Sequence, residues 1–321
     1  MKKLERRHKV FRFDHSDPPA VELDPGESIV VETTDSFDGQ FDLRQPHRPA
    51  PDAARNVSLD PGRAMPMTGP IYVRGAQPGD ALAAEILGLV ATSNGFVLPE
   101  FNRLLREGAR PDERWVAQIV ELRRGKIQLN GGLQLPYRLM VGSLGVAPVG
   151  QPVDALIPGD HGGNHDCIHC GQGATLHLPV QVPGALVSLG DVHAAMGDGE
   201  VAGTAVECDG EVTLCFHLHK GESTPGPVLE TADRWMIYGY GPATDEAIAM
   251  ATERTLALLM RRLGFGLAEA YTLLAAAGHM RLNEVVNPNR SARVEIPKQV
   301  VGALLGPAGR EAVAQAEAVP R

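Results

Sequence analysis

Cysteine is scarce, with only four in 321 residues. That is too few, over too long a chain, for a disulfide-stapled secreted scaffold. The reducing cytosol is therefore the expected compartment. Long apolar runs are missing as well, and no stretch reaches the roughly 18 apolar residues of a membrane helix. The N-terminus, MKKLERRHKVFRFDHSDPP, opens with basic residues as a signal peptide does. The apolar segment of about 7–15 residues that should follow is absent. A cytoplasmic protein away from membranes is expected. Positive charge is also in short supply. Lys and Arg number 30 against 39 Asp and Glu, a formal net charge of -9. Without a basic stripe, the chain lacks the footprint of a nucleic-acid partner. Its acidity favours solubility. The sequence shows no internal repeat, no low-complexity tract and no long charged linker.

Glycine and proline are plentiful, 36 and 25 residues, and spread along the chain. That distribution marks many short elements joined by turns, hence a mainly β architecture. AVELDPGESIVVET, GPIYVRGAQPGDALAAEILGLV and RRGKIQLNGGLQLP each pair strand-like runs with Pro-Gly, Gly-Asp or Gly-Gly turns. Two segments break this pattern. Thr244 to Leu263 carries Ile248, Leu256, Leu259 and Leu263 at helical spacing, with Thr244 or Asp245 as N-cap and Gly264 as stop. Leu267 to Ala277 predicts a second helix, so an αα unit packed on the sheets is expected. The tail 310–321 reads as a short helix or a frayed end. At roughly 150 residues per domain, the length suggests two units. The turn-rich GSLGVAPVG at 142–150 is the expected boundary, giving parts 1–145 and 146–321, or one intertwined unit.

Polar residues concentrate in GDHGGNHDCIHCGQG, 159–173, which offers Asp160, His161, Asn164, His165, Asp166, Cys167, His169 and Cys170. Gly162 and Gly163 permit backbone angles that let such a loop aim several side chains at one point. In GDVHAAMGDGE, 190–200, Asp191 and His193 lie two apart and share a strand face. The Gly197-Asp198-Gly199 turn then returns Asp198 or Glu200 toward His193, with Glu200 opening a strand. Histidine with carboxylates suits zinc, and carboxylates alone suit calcium. A single CxxC, Cys167 and Cys170, lacks the second pair of a structural zinc site, and buried idle thiols are the simpler reading. HLHK, at 217–220, sets His217 and His219 on one strand face, a pattern more typical of packed or surface histidines. DSFDGQ, 35–40, is an acidic turn that says little alone.

Together these strings resemble the acetamidase/formamidase family. They are DSFDGQ at 35–40, GPIYVRGAQPGDAL at 69–82, GDHGGNHD at 159–166 and GALVSLGDVHAAMGDGEVAGTAVE at 184–207. The similarity runs on to NEVVNPNRSARVEIPK at 283–298 and covers about nine tenths of the chain. It implies hydrolysis of formamide, acetamide or a related short amide to carboxylate and ammonia. It also implies a β-sandwich (jelly-roll-like) core with appended helices, a metal-containing site and a homo-oligomer. The matching polar residues are Asp38, Gln40, Asn164, Asp166, Asp191, His193, Asp198, Glu200 and Glu207. HMRLNEVV at 279–286 departs from the family pattern, which leaves the preferred amide open.

An unactivated amide needs a hydroxide-like nucleophile and a proton for its departing nitrogen. The expected ligands of a divalent metal, zinc or calcium, are Asp38, Asp166, Asp191 and His193, with Asp198 as a further candidate. Glu200 is the expected proton shuttle, and Glu207 a second candidate for either role, ligand or shuttle. Asn164 or the Gly162-Gly163 backbone would hold the oxyanion. Two other readings compete, an amidase with Cys167 or Cys170 as nucleophile, and a non-catalytic β-sandwich that binds calcium or a small molecule.

Overall fold

The computed structural model describes residues 1–44, 60–98 and 117–305. The expected helix at 310–321 lies outside them. The chain is mainly β, and three α-helices occur among the described residues. No described helix is long and apolar enough to cross a membrane.

The strand Glu207–His219 is the axis of the core. It pairs antiparallel with Ser28–Thr33, with the 17-residue strand Ala81–Val97 and with Val187–His193. Val212, Leu214 and Phe216 alternate onto its inner face and are fully buried. Each such side chain stabilises the fold by about 1.5–3 kcal/mol. Strands from before and after 145 thus interleave in one hydrogen-bonded system. The segment expected to be loose at 142–150 begins as the buried strand Met140–Gly145, which corrects that reading. Its glycines serve close packing. A Cβ on Gly142 would lie 2.3 Å from Asp191 Oδ2 and 2.5 Å from Asp166 Oδ1, and one on Gly145 would lie 2.7 Å from Gly163 N.

Thr244–Leu263 and Leu267–Ala277 are helical. The N-cap of the first is Ala243, one residue before the expected Thr244, because Ala243 keeps extended backbone while its carbonyl accepts the Ala247 N–H. Asp245 and Glu246 open the helix, Arg261 and Arg262 close it, and Gly264 ends it at φ 67°. The buried stripe of Ala247, Ala251, Thr255 and Leu258 packs on Arg234–Gly241 and Arg290–Pro297. The approach is close, since a Cβ on Gly239 would meet Ala251 N at 2.2 Å. The second helix buries only Ala270, and Glu269 caps it by accepting the Gly266 N–H at 2.8 Å.

Candidate active site

Four strands bring the chemistry together. Met140–Gly145 pairs with both Gly162–Asn164 and Val187–His193, and Val187–His193 pairs in turn with Glu207–His219. His193 lies directly opposite Glu207 and, on its other side, Met140, while Asn164 lies opposite Ser143, which in turn faces Gly190. Asp166 follows Asn164 by two residues. The returning strand starts at Glu207, not at Glu200 as expected. Glu200 sits in the connecting loop, where Gly199 bridges in parallel to Glu284.

Asp166, Asp191 and Glu200 have φ of 48°, 58° and 45°. L-residues rarely adopt that region, and such strain persists where the surroundings over-determine it, typically at functional sites. The strain turns all three carboxyl groups toward His193. The His193 Nε2 lies 3.1 Å from Asp191 Oδ1 and 3.2 Å from Glu207 Oε2, and its Nδ1 lies 4.0 Å from Asp166 Oδ1. The expected Asp191–His193 juxtaposition is therefore met, although through a left-handed residue within the strand. Ligand atoms of Asp166, Asp191 and His193 fall within 4.8 Å of one another, as do those of His193, Glu200 and Glu207.

All five side chains are buried. Burial pushes the Asp166 carboxyl well above its ordinary range, and the charges of Glu200 and Asp191 push further. Burial likewise raises Glu200 strongly, with Glu207 and Asp191 adding to it. Glu207 is raised by burial and by Asp191. Burial opposes charge on His193, but Asp191 and Glu207 outweigh it and lift its pKa well above 6.5. Burial opposes the Asp191 carboxylate too, and His193 overcomes it. Four buried carboxyl groups cannot all ionise against one imidazolium.

Two residues join this site that the sequence reading left unassigned. Glu284, fully buried, accepts the N–H groups of Val286 and Asn287 at 2.9 and 3.0 Å. Burial still raises its pKa to about 7. Asn287 donates through its side chain to Asp166 Oδ2 at 3.4 Å. The NEVVNPN string carried the resemblance, but its distance in sequence from the other carboxylates hid its place.

Two expected ligands stay outside the cluster. Asp38, also left-handed at φ 56°, pairs with Lys9, and it accepts Arg63 Nε at 2.8 Å. Burial opposes its charge, and these two cations overcome that and lower its pKa. Asp198 is forked onto Arg293, with contacts of 2.9 and 3.0 Å. Both carboxylates are paired with cations rather than set beside His193. The Gly162 N–H is spent on the Gly159 carbonyl at 3.0 Å, while Asn164 borders the cavity as a candidate oxyanion donor. Cys167 and Cys170 are buried free thiols whose pKa burial raises. They are poor nucleophiles. His217 pairs with Glu85 at 3.0 Å and His219 stacks on His177, so HLHK adds nothing to the cluster.

A cavity of about 70 Å³ opens on the cluster. Asn164, Asp166, Asp191, Glu200, Glu207 and Asn287 supply its polar wall, with Phe37, Met65 and Leu156 among the apolar residues opposite. Asn164 Oδ1, Asp166 Oδ1 and His193 Nδ1 are buried with no hydrogen-bond partner among the described residues. Orphaned oxygens and an imidazole nitrogen around one point are a donor set that a divalent cation satisfies. The residues fit such an ion.

The family model of the acetamidase/formamidase family matches residues 2–156 and 146–302. The chain belongs to the acetamidase/formamidase family. Acetamidase from Bacillus halodurans is 32% identical, superposes with a TM-score of 0.86, and the match covers 93% of this chain and 98% of that one. Acetamidase from Yersinia enterocolitica is 26% identical with a TM-score of 0.85, covering 94% and 93%. Formamidase from Methylophilus methylotrophus is 26% identical over 93% of this chain and 91% of its own length. With family membership in place, the strained carboxylates around His193 fall within residues 146–302, the second matched stretch.

Proposed function

We propose that this chain hydrolyses short amides to carboxylate and ammonia, with a divalent cation held by Asp166, Asp191, His193 and Glu207. The observation that carries the reading is the convergence of Asp166, Asp191, Glu200 and Glu207 on one cavity of about 70 Å³, with His193 against Asp191 and Glu207. The mixed nitrogen and oxygen donor set favours zinc over calcium, which takes oxygen alone. Such a cation, when bound, supplies Lewis acidity and makes water a competent nucleophile near neutral pH.

The chain's own residues do the rest. Glu200 borders the cavity and is a buried carboxyl with a raised pKa. It takes a proton from the attacking water and returns it to the amide nitrogen, so that ammonia leaves. Asn164 presents its side-chain amide to the oxygen that gains charge as the carbonyl turns tetrahedral. Asn287 holds Asp166 in place through its 3.4 Å hydrogen bond. Phe37, Met65 and Leu156 keep bulk water away. The inward alternation of Val212, Leu214 and Phe216 supports a jelly-roll-like sandwich as the scaffold.

The test is ammonia release from formamide and acetamide by metal-stripped and metal-reloaded protein, with elemental analysis of each. Activity should vanish on stripping and return on reloading, and His193→Ala should lose metal and activity together. Full activity in verified metal-free protein would sink the metal role.

A further inference from the structure

Beside the small cavity lies a second pocket, of about 360 Å³. Its volume falls at the lower end of the roughly 300–1,000 Å³ of small-molecule sites, whereas 70 Å³ fits little more than a carboxamide head. Val97, Leu135, Ala195, Met196, Val201 and Val206 make its wall. Among the described residues two polar side chains line it, Glu200 and Thr204, and both also line the catalytic cavity. The two spaces therefore adjoin along Glu200 and Thr204. Thr204 is fixed there, because its hydroxyl accepts the Leu98 N–H at 2.9 Å. The loop that forms much of this wall is tied down at both ends. Val206 N donates to Ala195 O at 3.0 Å, and Gly199 N donates to Asn283 O at 2.9 Å.

From this shared border at Glu200 and Thr204 we infer that the pocket is a substrate subsite. It takes the apolar tail of an amide whose carboxamide head sits at His193 and Glu200. The inference rests on the amidase reading above and deepens it, since formamide and acetamide would leave the pocket empty. The tail is attached either to the carbonyl carbon or to the nitrogen. The chemistry required is the same, an unbranched apolar chain longer than methyl. Each buried methylene adds about fourfold to affinity.

The experiment measures kcat/KM for acetamide, butanamide and hexanamide, and separately for formamide and N-butylformamide. Calorimetry on metal-free protein reads binding of the same amides without turnover. A rise of about fourfold per methylene in one series is expected, and the series that rises says where the tail is attached. Binding should carry a negative heat-capacity change, the mark of apolar burial. Ala202→Phe places a ring in the pocket from an exposed position. It should cost the longer amide tenfold or more while leaving acetamide within about twofold. Ala195→Phe repeats the test from another wall. Flat or falling values in both series, or equal losses for short and long amides in both variants, would overturn the subsite. Chain-length-dependent binding without turnover would keep the subsite and remove the amidase reading. Acetamide turnover without any length preference would do the reverse.

Discussion

Two neighbouring regions bury charge in opposite ways. Around Arg293 the charges balance. Its guanidinium, fully buried, reaches Asp198 at 2.9 Å, Glu295 at 2.8 Å and Asn283 Oδ1 at 2.6 Å, and Arg234 takes the other oxygen of Glu295. Around His193 they do not, since Asp166, Asp191, Glu200 and Glu207 face a single imidazole. One region is a closed ion network that braces the structure. The other is a surplus of negative charge that the fold maintains at the cost of three left-handed residues. The two touch through the backbone, because Asp198 in the first and Glu200 in the second are separated only by Gly199. A braced Asp198 thus anchors the loop that aims Glu200.

The comparison can be broken at four points. Glu200→Gln removes the proposed proton carrier from the unbalanced region. The loss in kcat should be about 10²–10⁴-fold, read as ammonia release at saturating amide. Near-normal turnover would move the proton transfer to Glu207 or Glu284. Arg293→Leu strips the balanced region of its cation and strands Glu295 and Asn283. Stability should fall by about 3–5 kcal/mol in urea unfolding, and an unchanged midpoint would mean that the network does not brace the fold.

His161 sharpens the contrast with a third solution, staying neutral. It is buried against the edge of Phe13 at 4.7 Å, and burial lowers its pKa from 6.5 to about 4. Above pH 6.5 it contributes full stability. As pH falls toward 4, the unfolded chain takes a proton that the folded imidazole refuses, so stability drops by about 3 kcal/mol through that window. His161→Phe should flatten this part of the pH profile of the urea midpoint, and an unaltered slope would rule out His161 as its source. The smallest effect belongs to Asp198→Asn. That carboxylate is about one third exposed, so its loss should cost about 0–1 kcal/mol. A larger drop, or a fall in activity, would show that the two regions are coupled through Gly199.

The legibility of the site follows sequence separation. Asp191 and His193 were readable because a strand repeats every two residues, and Asn164 and Asp166 because they cluster with other polar residues, although the Gly-Gly pair read as a loop lies in the short strand Gly162–Asn164. Glu200 was found, but its route was misread, since no local pattern announces a left-handed glutamate. Asp38 was expected as a ligand from the family pattern and Asp198 from that pattern and its turn, and the structure pairs them with Lys9, Arg63 and Arg293. Those cations lie 29, 25 and 95 residues away in sequence, so the pairing was invisible to spacing. Gly142 was misread in the same way. It opened the turn-rich segment expected to be a boundary, and only the packed sheet shows that two carboxylates fill the space beside it.

By itself the sequence determined a mainly β chain with two helices near 244–277, a polar focus within 159–207 and a family. These follow from local rules of period, turn chemistry and capping, and from strings specific enough to compare. Only the tertiary structure decided which acids share the cavity, which are neutralised by arginine or lysine, and that Glu284 and Asn287 belong to the site. The physical reason is that burial and charge compensation depend on distance in space. A carboxylate's role is fixed by whichever cation, proton or void the folded sheet sets beside it.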